Sequence, residues 1–105
     1  MTIRNDVLQL ALTIVDGPRN ENYGQPEDSF HLIAQFWNNY LEDMGNIVPI
    51  KGHDVAVMLM LLKIARLSKS RGDHSDSWID VAGYAACGYD SFVGLKTIKE
   101  VDNNV

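Results

Sequence analysis

Cysteine is all but missing: Cys87 is the one thiol in 105 residues. A lone cysteine excludes an internal disulfide, and its place in the run AGYAACG marks a small buried core residue, a reactive thiol being the lesser reading. Positive charge is scarce as well. Nine Lys and Arg against 14 Asp and Glu leave a net charge of −5 and an isoelectric point near 4.9. That balance excludes a nonspecific nucleic-acid binder, which carries a basic surface. It leaves room for one local basic pocket taking a small nucleotide. No apolar run reaches the roughly 20 residues that cross a bilayer. The amino-terminal MTIRNDVLQ lacks the apolar core of a secretory signal, so a cytoplasmic protein is expected. There is no cysteine–histidine zinc spacing, nucleophile elbow, glycine-rich phosphate loop, internal repeat or low-complexity tract.

What is present is an ordinary apolar share, 46%, concentrated in one place. Residues 55 to 62 form eight consecutive apolar residues inside DVAVMLMLLKIARL. Met and Leu are good helix formers, and Ile64, Ala65 and Leu67 continue the pattern at helical spacing. A helix apolar on every side has to be surrounded by protein or lipid, and Lys63 and Arg66 disfavour lipid. Residues 54–68 are therefore expected to be the most buried helix, with Leu61 inside.

Three further helices arrange themselves around it. Thr2 can cap the first, with Val7, Leu10, Ala11 and Ile14 inward, and Gly17-Pro18 stops it. The polar loop RNENYGQPED leads to a second helix with a stripe of Phe30, Ile33, Ala34, Trp37 and Leu41, widened by Phe36 and Tyr40 and ending before Gly45. NIVPIKGH is an extended connection in which Pro49 limits β-like pairing. Ser75 can cap a fourth helix through Trp78, Ile79, Ala82, Ala85 and Ala86, whose small residues let a neighbouring backbone approach. A weaker fifth helix can follow from Tyr89 to Val101. The expectation is one all-α domain over 1–105, a compact bundle of four main helices with a short fifth.

Chemistry has few places to sit. Lys63 and Arg66 share a face one turn apart; they either clamp acidic side chains between helices or meet a phosphate or carboxylate ligand. Asp76 and Asp80 share a face of the fourth helix and, with Asp73, could hold Mg²⁺, which prefers oxygen ligands. The structural alternative is that Asp73 and Asp76 favour the helix terminus while Asp80 neutralises Lys63 or Arg66. Tyr23 could offer an aromatic wall to a base. Glu27 and His31 have metal-pair spacing but read as solvated surface, and His53 and His74 sit where helix caps belong.

YGQPEDSFHLIAQFW, DVAVMLMLLKIARL and HSDSWIDVAGYAA together resemble a domain of unknown function common in phage and prophage proteins, over about Val15 to Gly88. The matched positions are Tyr23, Gly24, Pro26, Glu27, Phe30, Ile33 and Trp37, then Asp54, Lys63, Arg66, Asp76, Trp78, Asp80, Gly83 and Tyr84; Ser29 replaces an expected asparagine. That family is similar to nucleotide-modification-associated domain 1, and more distantly to MazG-type all-α nucleoside triphosphate pyrophosphohydrolases. The MazG-type E-x-x-E pair is lacking, since Phe30 stands three after Glu27. The resemblance implies a phage-type protein binding a nucleotide or nucleotide-derived phosphate, with Mg²⁺ as the candidate cofactor. Lys63 and Arg66 would then face the phosphate, Asp76 and Asp80 the metal, and Tyr23 the base. Two alternatives remain: a non-enzymatic nucleotide-sequestering protein, and a helical module forming a homo-oligomer without a ligand.

Overall fold

The computed structural model describes residues 2–17 and 26–103, the side chains of 26–27 and 95–103 excepted. The loop carrying Tyr23, and the side chain of Glu27, therefore lie outside the described residues. Four helices carry the described chain: α1 (Ile3–Asp16), α2 (Pro26–Asp43), α3 (Gly52–Ser70) and α4 (Ser75–Asn103). The architecture is all-α, as expected, with no strand among the described residues.

Local chemistry explains where each helix starts and stops. Thr2 Oγ1 accepts the Asn5 N–H at 3.3 Å and so caps α1. Beyond α2, Gly45 takes φ +94°. The Asn46 N–H bonds the Leu41 carbonyl at 2.8 Å and the Gly45 N–H bonds the Glu42 carbonyl at 2.9 Å, the paired bonds of a Schellman end. At the start of α3, Asp54 Oδ2 accepts the Lys51 N–H at 2.8 Å. Its other end repeats the Schellman pattern, with the Gly72 N–H on the Leu67 carbonyl at 2.9 Å and Arg71 left-handed at φ 55°. α4 is capped by His74, whose Nδ1 accepts the Ser77 N–H at 3.2 Å. Ser75, the cap suggested by the sequence, is already the first helical residue.

α3 and α4 form an antiparallel hairpin, and this pair makes the largest contact in the molecule. Their approach is close at Gly88, where a Cβ would come 2.7 Å from Ala56 Cβ. The small residues of AGYAACG thus do what their size suggested. Gly88 does not break the helix, so the expected fifth helix is the continuation of the fourth. Its 29 residues span about 44 Å at 1.5 Å per residue, close to the 48 Å long axis of the molecule. α2 packs on both α3 and α4, while α1 makes its main contact with α4, bringing Val15 to Gly83. The core is Phe30, Ala34, Val55 and Ala56, with Ile33, Trp37, Leu59, Tyr84 and Cys87 packed around it.

The central helix departs from expectation. Val55, Ala56 and Leu67 are buried, but Val57, Met58, Leu61, Leu62 and Ile64 are each 43–57% exposed. The reason is topological: α2 and α4 cover one side of α3, and α1 is spent on α4 instead. Leu61 is thus an exposed residue of this fold, not an interior one. The inward face of α1 also shifts, with Ala11 buried and Leu10 and Ile14 exposed. On α2 the stripe stands, but Phe36 and Tyr40 are 65% and 67% exposed. Trp78 is half exposed because its Nε1 donates to the Gly72 carbonyl at 2.9 Å, laying the indole across the turn. No described helix is long and apolar enough to cross a membrane.

Candidate functional site

Among the described side chains singled out for chemistry, Lys63 and Asp80 meet. Lys63 Nζ lies 3.0 Å from Asp80 Oδ2, tying α3 to α4. Lys63 is nearly buried, and the pairing supplies the counterion that a cation on such an apolar helix requires. Arg66 and Asp76 are exposed. Among the described residues no three His, Cys, Asp or Glu side chains are grouped to hold a metal ion. His53 lies 3.6 Å from Asp54, and His74 Nδ1 lies 2.7 Å from the buried Ser77 Oγ, so both histidines sit in capping regions as their positions suggested.

The structure adds a cleft that no single sequence motif announced. It has a volume of about 380 Å³, between the middle of α2, the 46–51 connection, the amino end of α3 and the Asp90–Gly94 stretch of α4. Ala34, Pro49 and Ile50 give it apolar wall, while His31, Lys51 and His53 bring two imidazoles and an ammonium. Asp90 and Ser91 close the α4 side. The connection is held in place by Asn38, whose Nδ2 donates to the Ile50 carbonyl at 3.0 Å and whose Oδ1 accepts the Ile50 N–H at 2.9 Å. This side-chain clasp takes the place of β-like pairing in the extended connection. The His53 ring meets Phe92 edge-on, 5.2 Å between centroids at 82°, which fixes the imidazole at the rim.

On its α3 side the cleft carries charge of both signs. The amino end of a 19-residue helix brings the positive end of its dipole, with Lys51 immediately before it, while the Asp54 carboxylate caps the same end by accepting the Lys51 N–H at 2.8 Å. Asp90 faces this from α4, so the wall opposite is not cationic. Such a cleft can seat a small anionic molecule with one apolar portion.

Sequence reasoning reached His31 and His53 singly but assigned them to surface and cap. Lys51, Asp90 and Ser91 carried no signal, because they are ordinary polar residues on segments distant in the chain. The one usable hint was Asn38, a polar residue beside Trp37 on the apolar side of α2. Conversely, the cluster of Lys63 and Asp80 lies about two to three turns further along α3, away from the cleft.

Comparison with known proteins bears on this geometry. The profile of the family described as Domain of unknown function (DUF6378) matches residues 6–91. The Gene 55 protein of Mycobacterium phage D29 is 43% identical over 81 residues, which cover 77% of this chain and 50% of that protein. The Gene 55 protein of Mycobacterium phage L5 is 39% identical over 79 residues, covering 75% and 47%. The chain thus spans about half the length of the curated relatives it matches. No solved structure matches it.

Proposed function

The chain belongs to the DUF6378 domain family, a family with mycobacteriophage members, and from that footing we propose that it binds a nucleotide or nucleotide-derived phosphate in the cleft at the amino end of α3. The observation that carries this reading is the combination in one cleft of Lys51, a long helix's amino end, two histidines and an apolar wall. Its volume, about 380 Å³, falls within the range of small-molecule sites, about 300–1,000 Å³. The phosphate would sit against the α3 N–H groups and Lys51. The uncharged part would lie on Ala34, Pro49 and Ile50, with His53 at the rim. The expectation from the sequence motifs, a resemblance to a phage family similar to nucleotide-modification-associated domain 1, is of the same ligand class. A phage-type protein working in the host cytoplasm, where nucleotides are plentiful, is consistent with it.

Lys63, Arg66, Asp76 and Asp80 take a different place in this proposal. Lys63 occupies an Asp80 oxygen, so Asp80 is engaged in holding the helix pair. Asp76 and Asp80 alone do not make a Mg²⁺ cage; Mg²⁺ would enter as the companion of the ligand's phosphates. The second reading, sequestration without turnover, uses the same cleft. Calorimetric titration with nucleoside mono-, di- and triphosphates and inorganic phosphate, with and without Mg²⁺, tests both. Saturable binding that Lys51→Ala and His53→Ala weaken supports the cleft; hydrolysis of a phosphoanhydride separates enzyme from sequestering protein. Binding that resists both substitutions but falls with Arg66→Ala moves the site to the other end of α3. No binding at millimolar concentration overturns the proposal.

A further inference from the structure

The open face of α3 has a definite chemistry. Val57, Met58, Leu61, Leu62 and Ile64 lie on the half of the helix away from α2 and α4, and each keeps 43–57% of its surface exposed. Together they expose on the order of 400 Å² on one helix, a size at which a contiguous apolar patch marks an interaction site. Charges stand at its two ends, and the exposed Arg66, one turn beyond Leu62, flanks one edge. Asp54 lies on the same stripe at the amino end, one turn before Met58, and Lys69 lies on it at the carboxyl end, one turn beyond Ala65.

We propose that a second copy of this chain covers this face, α3 against α3, antiparallel about a two-fold axis between Leu61 and Leu62. The stripe is self-complementary in that arrangement and in no parallel one. Each Asp54 comes opposite Lys69 of the other copy, and each Met58 opposite the small Ala65. The helix ends also oppose favourably, amino beside carboxyl. A two-fold interface requires one patch that fits itself, and this patch does. A standard interface buries roughly 800 Å² per partner, so the stripe forms its apolar centre and the flanking polar residues its rim. Lipid is the poorer occupant: the helix is too short and interrupted to span, and the chain is net acidic, which repels anionic headgroups. The all-round apolarity of α3 then has its physical reason, since both sides are covered, one by the fold and one by the copy.

Sedimentation equilibrium of the full chain from micromolar to millimolar concentration tests this. A dimer is expected, and Leu61→Glu should raise its dissociation constant by about 30-fold or more, the scale of a central contact. Circular dichroism should show helix content unchanged, because Leu61 is exposed within one copy. Orientation is read separately by disulfide trapping in a Cys87→Ala background. Leu61→Cys should cross-link readily, whereas Ser68→Cys, on the order of 20 Å from its counterpart in the antiparallel register, should not. The trapping result stands even where Leu61→Glu disturbs folding. A monomer at every concentration, a dimer indifferent to Leu61→Glu, or equal cross-linking at both positions overturns the proposal, as does a monomer that partitions onto lipid vesicles.

Discussion

Replacing Asp80 by asparagine keeps the side chain's shape and removes its charge, leaving Lys63 without its counterion. Breaking a fully buried ion pair costs about 3–5 kcal/mol and an exposed one about 0–1. The side chains here are 14% exposed for Lys63 and 30% for Asp80, which places the pair between those limits and nearer the buried one on the lysine side. Discounting for the water that still reaches Asp80, Asp80→Asn should cost about 1–3 kcal/mol. Lys63→Met should cost less, about 0–2 kcal/mol, because it strands the better-solvated partner and keeps the packing of the aliphatic stem. The double variant completes a cycle whose coupling isolates the pair, about 1 kcal/mol or more. For a domain of this size 1 kcal/mol moves Tm by about 4–8 °C, so Asp80→Asn should be visible in a simple melt. Urea unfolding followed by circular dichroism, at one fixed protein concentration since self-association adds stability, gives the free energies. An Asp80→Asn protein as stable as its parent, or more stable, refutes the clamp. That outcome belongs instead to an open carboxylate site, where removing a charge relieves repulsion.

Three other substitutions have definite signs. Gly88→Ala gains helix propensity of about 1 kcal/mol, yet its Cβ must enter 2.7 Å from Ala56 Cβ, so a net loss of about 1–3 kcal/mol is expected, restored in part by Ala56→Gly. Arg71→Gly should stabilise by about 0.5–1 kcal/mol, since φ 55° at the end of α3 suits glycine; a lower urea midpoint would contradict this. His74→Ala removes the α4 cap and the partner of the fully buried Ser77 hydroxyl, with an expected loss of about 1–3 kcal/mol by chemical denaturation. An unchanged midpoint would show that this cap is dispensable.

The sequence by itself determined the all-α class, four helices, several helix ends and one tertiary contact. Thr2 and Gly45 are legible because capping is local chemistry: an oxygen for an orphan N–H, a residue without Cβ for a left-handed turn. Asp80 was legible as a partner for Lys63 or Arg66 because each is hard to place on an apolar helix without the other, and the structure pairs it with Lys63. The family, too, was recognisable from ordered motifs. Tertiary structure alone decided the rest. Periodicity can say that α3 is apolar all round, but not which half the neighbours cover; that depended on α1 packing mainly on α4. His74 displaced Ser75 as cap because its imidazole reaches both the Ser77 N–H and the hydroxyl beneath it. The cleft was hidden for the same kind of reason. His31, Lys51, His53 and Asp90 come from segments some 20 to 60 residues apart, and the register of the α3–α4 hairpin, set where Gly88 meets Ala56, together with the packing of α2 on Gly52, brings them to one place. Local energies choose helices; which side chains converge is chosen by the few close contacts that fix how those helices slide against each other.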